Sequence, residues 1–389
     1  MPAPTDENSV LIQLLDQIDD YGRTTLVPTC KDLENKSLFP EKAVQWLAEM
    51  GIFGLIVPTK YGGYEMGAVA AAYVARTLAY WWPGLHLIWT AHNLAAEVII
   101  QIGTEEQKKR ILPRMATGEW IGAFGLTTPQ GGSDARATKT KAEFDPVTKE
   151  YVITGSTCYI TNPKEAHIFV TLARINGAAK QDLTAFVVET GRGLAYPGIT
   201  AVISEEKNSF KCSSFCRVEM NGMRVSESNV LGKVGRGFQG FMHSLAFGRI
   251  GIAAQAIGMG ERIFYEAILY SRDRTMFDGT ILDKQVNQHA FAKARAQMWV
   301  VWQGVVEAAR LCDAKEDFSV AASYVKYTAT ETAKAVALDL TEMFGGMIAL
   351  MSEPHMQRLI ETYIATVYEG CNKVQLDIIW KAIAKAYAK

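Results

Sequence analysis

Tyr368-Glu369-Gly370 sets a carboxylate beside an aromatic ring, just ahead of a glycine break and a new helical segment. A glutamate so placed can act as a positioned general base. Singly, most such glutamates are solvated caps, so the group gains force only with others. Phe124 to Asp134 crowds hydroxyls, glycines and a proline together, with Leu126, Thr127, Gly132 and Ser133 among them. Glycine lets a backbone approach a ligand, and adjacent N–H and hydroxyl groups can bind phosphate. The stretch is neither a GxGxxG after a strand nor a GxxxxGK[ST] loop, so no nucleotide fingerprint applies. Tyr159 and Thr161 are two apart and share one face of a strand, a pattern that plain strand propensity also produces. Arg274, Phe277 and Gln285 surround a turn at Gly279. An arginine fork suits a diphosphate, or is simply solvated.

The elements that must hold these residues follow an order of helices, strands, helices. Leu11, Leu14, Leu15 and Ile18 recur at helical spacing, as do Val44, Leu47 and Met50. Thr104 with Gln107 three residues on predicts a capped helix start. From about Trp120 to Gly235 turn residues recur roughly every 8–12 positions. Residues 151–154, 167–172, 183–188 and 217–220, the last before Asn221-Gly222, are β-branched or aromatic runs. Short strands so spaced predict a small sandwich or barrel. Long Ala-rich segments over 238–272, 283–313, 318–344 and 371–388 predict a four-helix bundle. The fold class expected is therefore α+β and multidomain: a helical domain over 1–122, a β domain over 123–235 and a bundle over 236–389.

Composition narrows the function. The 389 residues carry 40 basic and 41 acidic side chains, net charge −1, so no basic field for a nucleic acid is expected. No acidic or basic residue occurs from Thr77 to Ala96, a length that could span a bilayer. Pro83, Gly84, His86, Thr90, His92 and Asn93 interrupt it, and such polar groups are costly in lipid. Two buried helical pieces around a Pro-Gly break are expected, with no membrane span. The scattered cysteines, and an opening of Met1, Pro2, Asp6 and Glu7 in place of a basic and apolar leader, predict a reduced, cytoplasmic protein. Cys212 and Cys216 have no second pair nearby, so no metal site is expected.

Taken together and in order, these stretches resemble the acyl-CoA dehydrogenase family over about residues 40–385. Leu126-Thr127-Thr128-Pro129 with Gly132-Ser133-Asp134, Thr161-Asn162, Arg249-Ile250, Arg274 with Phe277, Gly345-Gly346, and Tyr368-Glu369-Gly370 with Val374-Gln375 carry the resemblance. It implies FAD as cofactor and a homotetramer or homodimer. By the same resemblance Leu126, Thr127, Gly132 and Ser133 contact the flavin or its diphosphate, Tyr159 stacks by the ring, and Thr161 reaches its N5 edge. Arg274, Phe277 and Gln285 would hold the adenosine half across a dimer interface. Glu342, where relatives carry a Gln, and Gly346 would lie near the adenine side. Glu369 falls on the catalytic base, which takes the α-proton of an acyl thioester while the β-hydride leaves for the flavin. Arg249, Tyr368, Gly370 and Trp89 would meet the substrate, an acyl-CoA or an acyl carrier protein thioester, with an electron-transfer flavoprotein as electron acceptor. An oxygen-using oxidase or monooxygenase on the same fold, and a scaffold that has lost FAD, are the alternatives. Thr128, Ala246, Leu376 and Met347-Ile348-Ala349 depart from the family pattern. The aromatic run Tyr80, Trp81, Trp82 and Trp89 suggests a bulky or cyclic acyl group.

Overall fold

Leu11, Leu14 and Ile18 bury one stripe of α1 (Ser9–Tyr21), and Ala43, Val44 and Leu47 do the same on α3 (Glu41–Glu49). Between them lies α2 (Val27–Lys36). The computed structural model describes residues 9–175 and 183–388. Met1, Pro2, Asp6 and Glu7, on which the expectation of no leader rested, lie outside the described residues. The uncharged stretch forms α4 (Gly67–Trp81) and α5 (Pro83–Ile102), split at Trp82-Pro83. Pro83 opens the second helix, where its missing N–H costs nothing. Among the described residues no helix is long and apolar enough to cross a membrane.

Helix α6 (Glu105–Ala116) starts at the expected cap. Gln107 N–H donates to Thr104 Oγ1 at 3.2 Å, and Thr104 N–H donates to Gln107 Oε1 at 2.8 Å. The Gln107 amide also donates to the carbonyls of Ser228 and Val230 at 2.8 and 2.9 Å, so one cap ties the first helical region to the sheet.

Eight strands join one sheet: β1 (Gly122–Gly125), β2 (Lys141–Asp145), β3 (Glu150–Thr161), β4 (Ile168–Ile175), β5 (Leu183–Glu189), β6 (Ile199–Ser204), β7 (Phe215–Ser226) and β8 (Val230–Leu231). Their order is β6-β7-β3-β2-β4-β5-β8, with β1 also paired to β4. Strands β1 and β2 run parallel to β4, while β3 lies antiparallel to β2 and β7. Strand β7 runs on through Asn221-Gly222. Gly222 takes a positive φ of 64° and its N–H donates to Thr154 Oγ1 at 3.1 Å, which keeps the strand beside β3.

The third region is α7 (Gly237–Asp273), a short hairpin of β9 (Thr275–Met276) and β10 (Gly279–Thr280), α8 (Gln285–Asp313), α9 (Ser319–Thr341), α10 (His355–Ile364) and α11 (Asn372–Tyr387). Helix α10 was not expected; with ten residues it offers little periodic signal. Helix α7 packs on α4 at Gly258, where a methyl group would overlap the carbonyl of Arg76. This packing brings α5, α7 and the α10–α11 connection together at Gly248, where Leu94 and Glu369 meet.

Candidate active site

Glu369 sits in the connection between α10 and α11, at φ +50°, and Gly370 follows at +86°. Two successive left-handed residues reverse the chain. For a non-glycine this costs roughly 1–2 kcal/mol, and such strain collects at functional sites. Three contacts hold the reversal. Asn372 N–H donates to the Thr366 carbonyl at 2.9 Å, Lys326 Nζ donates to the same carbonyl at 3.1 Å, and Gln375 Nε2 donates to the Gly370 carbonyl at 2.7 Å.

The carboxylate is turned inward. Its Oε2 is buried and lacks a hydrogen-bond partner. Gly248 on α7 forms the floor beneath it: a methyl group there would overlap Oε2 and would lie 2.8 Å from Leu94 Cδ2. Burial pushes the Glu369 carboxyl up to about 8, against the opposing pull of Lys326 and Arg249. Arg249 is itself buried, its Nε unpartnered, and a methyl at Gly370 would stand 3.5 Å from its Nη2. Tyr368 donates its hydroxyl to Gln255 Oε1 at 2.6 Å and turns its ring edge to Phe210. Burial holds its phenol well above the usual range.

Across the cleft lies the Leu126–Ser133 loop. Ser133 Oγ is 3.9 Å from Cys371 Sγ, so the loop meets the start of α11 two residues after Glu369. Cys158 N–H donates to the Thr127 carbonyl at 2.9 Å, which sets the loop beside β3. At the end of β3, Tyr159 takes φ +61° and leaves its ring 62% exposed, stacked on Phe215 at 5.6 Å. Thr161 is next to Asn162, whose amide donates to the carbonyls of Ile88 and Gly122 at 2.8 and 3.3 Å. That bond fixes the strand end against α5.

These residues fit a flavin. An exposed aromatic ring, an open glycine at Gly132 and hydroxyls on Thr127, Ser133 and Thr161 belong to the loop and strand end that meet the Glu369 connection at Cys371, and Thr128 Oγ1 and Gln375 Oε1 are buried without partners. A flat, uncharged ring with polar edges suits this donor set. Cys212 and Cys216 are free and buried, at the turn before β7 and on the strand.

A second group of expected residues is elsewhere in the same chain. Arg274, Gln285 and Glu342 are exposed, Phe277 is 91% exposed at φ +54°, and a Cβ at Gly346 would meet nothing within 4 Å. Arg274 follows Arg249 along α7 by 25 residues, or roughly 37 Å at the helical rise. The Tyr270 and Phe344 rings, 5.2 Å apart, join this end of α7 to the end of α9.

Trp89 is 2% exposed and donates Nε1–H to the Ile52 carbonyl at 2.9 Å, a core residue. One face of it also lines a cavity of about 20 Å³ with Ala71, Thr90, Asn93, Leu94 and Gly248. Trp81 and Trp82 turn elsewhere, bonding Asp19 and Glu34, each at 2.7 Å. Gly248 and Lys326 were not found from sequence. For Lys326 a signal existed: it is the one charged residue on the buried face it shares with Ala322, Ser323, Ala329, Thr330 and Ala333.

Comparison with known proteins gives matches along nearly the whole chain. The acyl-CoA dehydrogenase N-terminal, middle and C-terminal domain families match residues 11–119, 123–223 and 235–384. The chain is 31% identical to the mitochondrial short/branched chain specific acyl-CoA dehydrogenase of Rattus norvegicus, over 98% of this chain and 87% of that one. Its structure resembles butyryl-CoA dehydrogenase of Megasphaera elsdenii with a TM-score of 0.93, 29% identity, and coverage of 98% and 100%. A prolyl acyl carrier protein oxidase is similar at a TM-score of 0.91 and 26% identity, over 97% of this chain and all of that one.

Proposed function

Given that the chain belongs to the acyl-CoA dehydrogenase family and is an FAD-dependent oxidoreductase acting on CH–CH bonds, we propose that Glu369 is its catalytic base. The observation that carries this is the unpartnered, buried Oε2, held by a strained backbone in a connection that touches the Leu126–Ser133 loop at Cys371. Burial raises the basicity of the carboxylate toward working pH, which is what removal of a weakly acidic α-proton needs. Leu126, Thr127, Gly132, Ser133, Tyr159 and Thr161 would hold the flavin against it. FAD, when bound, supplies the acceptor for the β-hydride.

The chain's own residues do the rest. The Glu369 backbone N–H would polarise the thioester carbonyl, where negative charge develops as the α-proton leaves. Gly248 leaves room for the carboxylate, and Arg249, Tyr368 and Gly370 set the loop that carries it. Excluding water from the cleft keeps these interactions strong.

Arg274, Phe277, Gln285, Glu342 and Gly346 are too far along the bundle to serve the same cleft. They would reach the cofactor of a second subunit, which makes a homodimer or homotetramer the working form. Among the described residues this end exposes Phe277 and Met351 almost fully, as an interface would.

Trp89 shapes the substrate reading. Of the four aromatic residues expected around the acyl group, it alone lines the cavity beside Gly248. At about 20 Å³ the cavity exceeds the roughly 10–15 Å³ that a single water needs on the same measure, but not by much. A short acyl end fits this space better than the bulky or cyclic group that the aromatic run suggested. Asn93 Oδ1, buried and unpartnered on the cavity wall, would accept a hydrogen bond from a polar acyl substituent.

The test is anaerobic bleaching of the bound flavin by a panel of thioesters: straight, branched, cyclic and dicarboxylic acyl groups, each on CoA and on acyl carrier protein. Short acyl thioesters should bleach it fastest. Absence of bleaching by every thioester would refute the assignment. Fast reoxidation by oxygen, with peroxide formed, would mark an oxidase, while transfer to an electron-transfer flavoprotein supports the dehydrogenase.

A further inference from the structure

Lys326 is fully buried in the middle of α9, yet the reaction as described gives it no task. Stripping water from an ammonium is costly unless the site repays it with hydrogen bonds and opposite charge. Here it is repaid at the Glu369 loop. Nζ donates to the Thr366 carbonyl at 3.1 Å and to Asn372 Oδ1 at 2.8 Å. Thr366 and Asn372 are the two ends of the reversal that sets Glu369 at φ +50°.

The rest of the cluster closes around this contact. Thr330 Oγ1 lies 3.2 Å from Asn372 Oδ1, and the Asn372 amide donates to Thr330 Oγ1 at 3.0 Å and to Glu331 Oε1 at 2.8 Å. Glu331 is in turn paired with Lys334 at 2.5 Å. The charged groups facing Glu369 are Lys326 on α9 and Arg249 on α7. Those facing Lys326 are Glu369 and Cys371 from the loop, Arg249 from α7 and Glu331 from its own helix. Burial pushes the Lys326 ammonium down to about 8, while Glu369, Cys371 and Glu331 pull it back up.

We propose that Lys326 is a positioning residue for proton removal: its ammonium pins both ends of the Glu369 loop and sets a positive charge near the carboxylate. The pinning keeps the strained backbone from relaxing. The charge favours the ionised carboxylate, so that Glu369 stays a base at a pH where burial alone would protonate it. This inference rests on the reading of Glu369 as the base.

The experiment uses FAD-loaded enzyme and an acyl-CoA that bleaches the wild-type flavin, and follows kcat/KM against pH for wild type, Lys326→Met, Asn372→Asp and Glu369→Gln. The acid limb of kcat/KM reports the group that must be ionised in the free enzyme. Lys326→Met should move its midpoint up by about one pH unit and lower the plateau, with the flavin spectrum and FAD content unchanged. Asn372→Asp, which sets a carboxylate on the ammonium, should move the midpoint the same way and serves where Lys326→Met does not fold. An unshifted midpoint in a folded, FAD-loaded Lys326→Met, or in Asn372→Asp where the first variant is insoluble, overturns the proposal. Glu369→Gln separates the two readings. If it is inactive while Lys326→Met keeps the wild-type profile, only the role of Lys326 fails; if it remains active, the assignment of the base fails.

Discussion

Two glutamates eight residues apart, Glu361 on α10 and Glu369 in the loop after it, are both pushed up to about 8 by burial. Their surroundings differ in every other respect. Glu361 is part of a helix, accepts from Gln357 Nε2 at 3.3 Å, and has Arg358 and the Phe210 backbone as further partners, with the Glu34 carboxylate raising it. Glu34 in turn takes the indole of Trp82 and the N–H groups of Lys211 and Cys212, so this carboxylate pair joins three parts of the fold. Glu369 has a left-handed backbone and an orphaned oxygen, and rests against Gly248, which lines a cavity. A perturbed acid therefore marks a burial, not a catalyst. What separates the two is an unspent hydrogen-bonding capacity aimed at space a substrate can enter.

The largest test of this contrast is paired substitution. Glu369→Gln should lower kcat by about 100- to 10,000-fold, the range a general base supplies, while keeping bound flavin. Glu361→Gln should leave turnover within a few-fold of wild type. Equal losses in the two variants, measured by steady-state turnover with FAD content checked by absorbance, would erase the distinction.

A smaller effect is expected from the floor of the site. Gly248→Val should displace the Glu369 carboxylate and cost roughly 100-fold in kcat, since a misplacement near 1 Å is enough. Flavin binding should persist, because Gly248 is on the acyl side of the cleft. A variant with full activity would show that the carboxylate does not rest there.

The smallest effect concerns stability. A carboxyl raised in the folded state binds a proton that the unfolded chain has already lost between its ordinary 4.5 and about 8. Its contribution is present below 4.5 and fades as pH climbs toward 8. Glu361→Gln should therefore melt a few degrees above wild type at pH 8, with the gap narrowing toward pH 5 by calorimetry. Glu369 is present in both proteins and cancels from the difference. A gap that widens toward acid pH would mean that Glu361 is held ionised by Arg358.

Much of this was legible in the residues. The Thr104–Gln107 cap, the Pro83 break between two buried helices and the strands expected at 151–154, 167–172 and 183–188 follow from local chemistry: an orphan N–H needs an acceptor, and β-branched side chains pack on pleats. Glu369 stood out by its neighbours Tyr368 and Gly370. Gly248 could not, since a glycine inside a long helix carries no local sign of what its missing side chain admits. Lys326 set a charge on a buried helix face, but the charge alone does not say which group repays the burial.

The order of helices, strands and helices was set by the sequence alone, along with the family, because periodicity, caps and short motifs act between residues close along the chain. Only the tertiary structure decided that Oε2 is left unpartnered, that Lys326 reaches Thr366 and Asn372 from another helix, and that Arg274 is a helix length away from Arg249. Those facts depend on packing between distant segments, and packing fixes the distances that govern both desolvation and charge.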